Sequence, residues 1–237
     1  MASTSSRDAL PPVCILAGGL GTRLGGIAAD TPKPLIEVAG EPFLIHQLRL
    51  LAANGATSVI LCVGYLGEQI EERIGAEQFG IRIGYSYDGP ELAGTLGAIR
   101  RALRLLPSRF LVLYGDTYLR LDYRAAARAW EASGLAGLMT VFRNDGKWDR
   151  SNVVYEAGRV VAYDKFAPTP RMRWIDYGLG GVDVSALAVV PDAETDLASL
   201  YGRLARSGEL CGYEATERFY EIGTADSLAE IRAFLSS

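Results

Sequence analysis

The sequence predicts an α/β protein built on a doubly wound, mainly parallel sheet with an antiparallel insertion on one side. Three observations carry this. Short, near-continuous apolar runs alternate with segments of helical spacing through about residue 143, as in a parallel sheet covered on both faces. Beyond that point, runs in which apolar and polar residues alternate appear, as in half-exposed antiparallel strands. The 27 glycines exceed the usual share of about 7%. Many fall at strand–helix junctions, where open α/β sheets hold ligands.

Residues 1–12 are Ser/Thr-rich, end in Pro11-Pro12 and read as a flexible arm, leaving 13–237 as a single domain. VCILA (13–17) is a buried strand running into glycines. FLIHQLRLLAAN (43–54) spaces its apolar residues by three and four and stops before Gly55, which predicts a helix with a C-terminal glycine. VILCVGY (59–65) is a β-branched strand, EQIEERIG (68–75) a short helix and IRIGYSYD (81–88) an alternating strand. LGAIRRALRLL (96–106) is helical, and FLVLYGD (110–116) is a third apolar strand. NVVYEAGRVVAYD (152–164) holds two alternating runs about Glu156-Ala157-Gly158, a β-hairpin. GGVDVSAL (180–187), ELCGYEA (209–215) and RFYEI (218–222) are further strands. DLASLYGRLARSG (196–208) and ADSLAEIRAFL (225–235) are helices.

Composition narrows the chemistry. One histidine, His46, and three cysteines exclude multi-histidine metal sites and four-cysteine clusters. Carboxylates, lysines, arginines and a hard cation such as Mg²⁺ are the tools left. The net charge of −4 without a Lys/Arg run gives no footprint for nucleic acid. The longest apolar run, VILCVGYL (59–66), is too short to span a bilayer, and the first twelve residues lack the apolar core of a signal peptide. Cys14, Cys62 and Cys211 are scattered, as free thiols in a reducing cytosol would be. A cytoplasmic protein without nucleic-acid or membrane partners is expected.

The segment LAGGLGTRLGG (16–26) carries the most information. Its glycines let backbone N–H groups turn toward an anion, and Arg23 adds a planar fork of donors. Gly21-Thr22-Arg23 fails the Gly-Lys-Ser/Thr ending of a P-loop. Leu24 likewise breaks a dinucleotide fingerprint begun at Gly19. Alone, the loop also reads as a glycine-rich turn. Pro32 and Pro34 bracket Lys33, which predicts a stiff, extended segment holding one positive charge; an isolated Pro-Lys-Pro also reads as a surface turn. Gly115-Asp116 ends an apolar strand, where a carboxylate faces ligand and supplies half of a Mg²⁺ site, or simply forms a turn.

The apolar strand, A-G-G-x-G-T-R-L, P-K-P-L and V-x-G-x-P across 13–42 together resemble the signature of the sugar-phosphate nucleotidylyltransferases. Similarity continues over nearly the whole chain from about residue 13. The resemblance implies a Rossmann-like, GT-A-like nucleotidyltransferase fold. It divides the domain into a nucleotide-binding half, about 13–143, and a sugar-binding half, about 144–237, that carries the antiparallel insertion. Leu16, Ala17, Gly18, Gly19, Gly21 and Thr22 would cradle the nucleotide, with Arg23 and Lys33 as catalytic charges. Gly94 and Thr95, in a G-T-x-x-A segment, would lie against the base. Upstream, Asp88 and Glu91 suggest guanine, whose adjacent N1–H and N2–H donors suit a carboxylate, although Asp88-Gly89-Pro90 also reads as a turn.

The resemblance makes Asp116 a Mg²⁺ ligand and places Glu221 where the family carries its second metal-binding aspartate. Lys165 fits the lysine of a short E-K-P element that holds the sugar 1-phosphate, with Phe166 replacing proline. IDYGLGG (175–181) resembles the N-A-G segment of the sugar pocket: Asp176 and Tyr177 replace Asn and Ala, and Gly178 is kept. Asn152 stands where many members have glycine near the sugar. His46 reads as a structural helix residue. Trp148 could stack on substrate or on its own scaffold.

The expected activity joins an NTP and a sugar 1-phosphate into NDP-sugar and pyrophosphate. The chain looks most like small guanylyltransferases acting on heptose or hexose 1-phosphates for polysaccharide synthesis, which implies GTP and a heptose 1-phosphate. Its end soon after Glu221 predicts no β-helix extension. A uridylyl- or cytidylyltransferase, a regulatory nucleotide-sugar-binding homologue and a glycosyltransferase are the alternatives, the last lacking a D-x-D motif at Asp116-Thr117-Tyr118. A homodimer is a candidate assembly.

Overall fold

The computed structural model describes residues 10–21, 24, 30–148 and 150–236. Strand β1 (Val13–Leu16) is followed by the small hairpin β2 (Glu37–Val38) and β3 (Glu41–Pro42), which leads into α1 (Phe43–Ala53). Next come β4 (Ser58–Val63), α2 (Gly67–Ile74), β5 (Glu77–Gln78), β6 (Ile81–Tyr87), α3 (Gly94–Ala102) and β7 (Arg109–Tyr114). The chain continues through β8 (Thr117–Tyr118), α4 (Tyr123–Ser133), β9 (Gly137–Arg143), β10 (Val153–Glu156) and β11 (Arg159–Tyr163). It finishes with β12 (Trp174–Asp183), α5 (Leu197–Ser207), β13 (Leu210–Ala215), β14 (Tyr220–Glu221) and α6 (Ala225–Leu235).

Ten strands form one mixed sheet in the order β10-β11-β13-β9-β12-β7-β1-β4-β6-β5. β1 pairs in parallel with β4 and β7, so Leu16 lies opposite both Cys62 and Tyr114. The parallel block extends to β6. β12 runs antiparallel to β7 and β9, and β10 and β11 form the expected hairpin. The α/β class with its antiparallel side is therefore present.

Alternation along the strands sorts the core into two layers. Val13 and Ile15 face α1, α2 and α4, whereas Cys14 faces α3 and α5. α1 buries Leu44, Leu48 and Leu51, the i, i+4, i+7 stripe that its sequence announced. α5 starts on Asp196, which accepts from Ala198 N–H, and ends at Gly208 in the left-handed region, a strong start and a glycine stop. α6 packs Leu228 and Ile231 over Ile36, Val38 and Phe43 in a third cluster. All three cysteines are free and buried. No helix among the described residues is long and apolar enough to cross a membrane.

Several local expectations are corrected. Lys33 is not on an extended segment: Pro32 is extended, but Lys33–Leu35 forms one 3-10 turn, because the fixed φ of Pro34 also suits the first turn of a helix. The strand expected at 180–187 begins at Trp174, ends at Asp183 and gives way to a 3-10 helix, Val184–Val189. It starts earlier because β9 offers partners from Arg143 onward. The helix expected over 96–106 ends at Ala102 and tightens into a 3-10 turn, Leu103–Leu105. The strand expected at 218–222 shrinks to β14, paired only with β8. α4 and β9 were not anticipated, although Asp122 caps α4 and Gly134 ends it.

Just past the end of β7, Gly115 N–H donates to the Leu16 carbonyl at 2.9 Å. A Cβ there would sit 2.7 Å from that same oxygen and 3.1 Å from Ala17 Cα. Gly115→Ala is expected to lose about 1–3 kcal/mol through overpacking. The measurement is a lowered urea midpoint at unchanged m-value.

Candidate active site

The chain leaves β1 toward β4 on one side and reaches β7 on the other. Such a reversal opens a crevice beyond the carboxyl ends of the two strands. Here it is a cleft of about 360 Å³. Leu16, Ala17, Gly18, Gly19 and Gly21 form one wall, and Lys33, Asp88, Gly94, Thr95 and Asp116 also line it. Ten of the residues singled out from sequence thus converge. Thr22 and Arg23 lie outside the described residues. Cys62, Leu92, Tyr114 and Gly223 line the cleft as well; the last three lie two residues from Gly94, Asp116 and Glu221, whereas Cys62 sits in a plain apolar strand with no motif to mark it.

The charges pair within the cleft. Lys33 Nζ lies 2.5 Å from Asp116 Oδ2, with the two side chains 11% and 29% exposed. Lys33 was expected on phosphates and Asp116 on a cation; in this structure they are each other's partner. His46 is 9% exposed, with Nε2 2.7 Å from the Val38 carbonyl, a structural role that anchors the hairpin following the Lys33 turn.

Asp88 is buried at 4% exposure. Its Oδ2 accepts from Ala93 N–H at 3.2 Å and sits against Gly18 and Gly64, where a Cβ would come within 3.2 and 3.1 Å. Burial raises its pKa, against the pull of Ala93 N–H and Arg101. Gly94 packs on Thr195, whose carbonyl would be 2.7 Å from a Cβ. The Thr95 hydroxyl is engaged away from the cleft, 3.3 Å from Asp196 Oδ1 and accepting from Leu197 N–H at 2.8 Å.

The sugar-side residues gather elsewhere. Lys165 does not line the cleft; it pairs with Asp196 Oδ2 at 3.3 Å in a separate depression with Arg203 and Arg206. Asn152 Oδ1 accepts from Asp176 N–H at 3.1 Å, and Asp176 Oδ1 accepts from Gly178 N–H at 3.0 Å. These three therefore brace the irregular stretch of β12, where the register with β9 shifts between Asp176 and Gly180. Trp148 packs on its own scaffold, with the Arg218 guanidinium 3.8 Å from its ring centre.

Asp116 and Glu221 are brought side by side through the backbone. β8 and β14 pair with Glu221 opposite Thr117, and Ile222 N–H donates to the Asp116 carbonyl at 3.0 Å. The described residues contain no group of three or more His, Cys, Asp or Glu placed to hold a metal. Asp116 lines the cleft whereas Glu221 is not among its lining residues; as donors, carboxylate oxygens suit a hard ion such as Mg²⁺ and not a soft one.

Residues 13–153, more than half of the chain, match the family model described as nucleotidyl transferase. The chain belongs to the nucleotidyl transferase family. This nucleotidyl transferase is 28% identical over 232 residues to the mannose-1-phosphate guanylyltransferase catalytic subunit beta of Drosophila pseudoobscura pseudoobscura, covering 94% of this chain and 62% of that protein. It is 43% identical over 108 residues to the D-glycero-alpha-D-manno-heptose 1-phosphate guanylyltransferase of Campylobacter jejuni, covering 46% of this chain and 48% of that protein. Either way it spans less than two thirds of the relative's length. Among solved structures, HddC from Yersinia pseudotuberculosis complexed with GMP-PN superposes with a TM-score of 0.79 at 23% identity, over 95% of this chain and 100% of that one. That likeness is one of fold.

Asp176, the family departure on β12, generates a prediction. Burial pushes its pKa up to about 6, while Gly178 N–H and the Lys165 charge pull it down. A carboxyl raised in the folded state favours folding while it is protonated, and that contribution is lost as pH rises through about 6. Asp176→Asn is expected to be more stable than the parent above pH 6 by about 1–3 kcal/mol. The difference should narrow toward pH 4, as read from urea midpoints across that range.

Proposed function

We propose that this chain is a sugar 1-phosphate nucleotidylyltransferase that uses GTP and a heptose 1-phosphate and works with Mg²⁺. The reading is carried by the convergence of the glycine loop, Lys33 and Asp116 on one cleft at the β1/β7 switch point in a nucleotidyl transferase chain. Both relatives are guanylyltransferases of sugar 1-phosphates, which supports the substrate class.

A phosphate oxygen of the sugar 1-phosphate forms a bond to the α-phosphorus in line. The bond from that phosphorus to the oxygen bridging to the β-phosphorus breaks, and pyrophosphate leaves with the electron pair. A phosphate monoester is already anionic, so no side chain has to abstract a proton, and catalysis rests on positioning and charge. The N–H groups of Gly18, Gly19 and Gly21 orient the triphosphate. Lys33 leaves Asp116 for the phosphates and, with Arg23, balances the charge developing on pyrophosphate. Lys165, released from Asp196, holds the attacking phosphate. Asp88 keeps one oxygen on Ala93 N–H and offers the carboxylate edge to guanine N1–H and N2–H. Mg²⁺, held by Asp116 and Glu221, supplies further neutralisation of the phosphates when bound.

Pyrophosphate release from the four common NTPs against a panel of sugar 1-phosphates tests this. GTP with a heptose 1-phosphate is expected to turn over fastest, and Asp116→Asn or Lys33→Ala to cost roughly 10²–10³ in rate. Preference for UTP or CTP would move the assignment to another base. Near-normal release by either variant would remove that residue from its role.

A further inference from the structure

Gln47 follows His46 on the buried face of α1 and is 2% exposed. Its Nε2 donates to two backbone carbonyls, Tyr114 at 3.0 Å and Thr117 at 2.7 Å. Those carbonyls stand on either side of Gly115-Asp116. The Thr117 hydroxyl closes the same turn by donating to the Tyr114 carbonyl at 3.1 Å. The carbonyl of Asp116 itself accepts from Ile222 N–H at 3.0 Å. The backbone is thus held before, at and after Asp116, and the carboxylate points into the cleft toward Lys33.

Both neighbours of the Gln47 amide are acceptors, so only its NH₂ end can face them. The opposite end, Oε1, is then buried without a hydrogen-bond partner among the described residues. Leaving a buried acceptor unmade is unfavourable, and a leucine or methionine would fill the same helix face without that penalty. What those residues cannot do is bridge two carbonyls across a tight turn. The half-satisfied amide is intelligible if the clasp on the turn matters more than the lost hydrogen bond.

We propose that Gln47 is the positioning residue of Asp116: by clasping the 114–117 turn it sets the direction of the carboxylate and so its affinity for a divalent cation. This rests on the reading of Asp116 as a cation ligand, and the two fail separately.

The test measures Mn²⁺ affinity directly, by the free-ion electron paramagnetic resonance signal with a non-reacting GTP analogue bound, alongside kcat, KM and the melting temperature. Gln47→Met is expected to weaken Mn²⁺ binding about tenfold and lower kcat about a hundredfold, with both KM values within threefold of the parent. If Gln47→Met does not fold, Gln47→Glu keeps the size and removes the donor when ionised, and the same loss of Mn²⁺ affinity is expected. Asn54→Ala is the stability control. It unpairs Tyr123 N–H at the far end of the same helix and is expected to lower the melting temperature without changing Mn²⁺ affinity. Asp116→Asn should abolish tight Mn²⁺ binding; if it does not, the cation-ligand reading falls. If Asp116→Asn loses the ion while the Gln47 variants lose only melting temperature, Gln47 is structural and the proposal is overturned.

Discussion

The cleft depends on one short ladder. β1 is four residues long, and its first three, Val13, Cys14 and Ile15, have no exposed surface. It is held in parallel by β4 on one side and β7 on the other. The ladder continues one step past β1, where Ala17 N–H donates to the Cys62 carbonyl at 2.8 Å and Gly115 N–H to the Leu16 carbonyl at 2.9 Å. The strands therefore release their chains at the same height, and the glycine loop and the Asp116 turn open onto one space. A one-residue slip would exchange the two faces of β1. It would set Cys14 against the packing of α1 and turn Val13 and Ile15 toward α3.

The second half of the chain buttresses this arrangement from the other side. β12 lies between β7 and β9, so a strand from the later half is wedged between two from the earlier half. Arg100 of α3 donates to the carbonyls of Val190, Pro191, Asp192 and Glu194, a use of the rigid guanidinium fork that a lysine could not reproduce. That clamp fixes the approach to Asp196. The Asp196 carboxylate then caps α5, meets Thr95 and pairs with Lys165. One carboxylate so connects the helix flanking the cleft to the lysine assigned to the sugar phosphate.

Much of this was legible from residue order. The buried strands, the stripe of α1, the hairpin about Ala157-Gly158 and the capped α5 are local patterns, and local patterns survive without knowledge of the fold. α4 escaped because RAAARA offers few large apolar residues for a periodicity to show. Its caps at Asp122 and Gly134 were the available signal. The extended Lys33 segment failed for a different reason: proline permits both an extended residue before it and a helical first turn at it, and in the turn Leu35 packs against the cluster that contains α1. Cys62 entered the cleft unannounced because nothing about its neighbours in a buried apolar strand marks it.

By itself the sequence determined which segments are buried strands, where the glycines of the cleft stand and which few charges are available for chemistry. These follow from side-chain pattern and backbone preference within a dozen residues. Only the tertiary structure decided that Lys33 meets Asp116 across 83 positions, that Gln47 reaches the turn carrying that aspartate, and that Lys165 rests on Asp196 instead of lining the cleft. Those contacts depend on strand order and on which faces bury one another. They are non-local quantities, set when separate apolar faces leave water together.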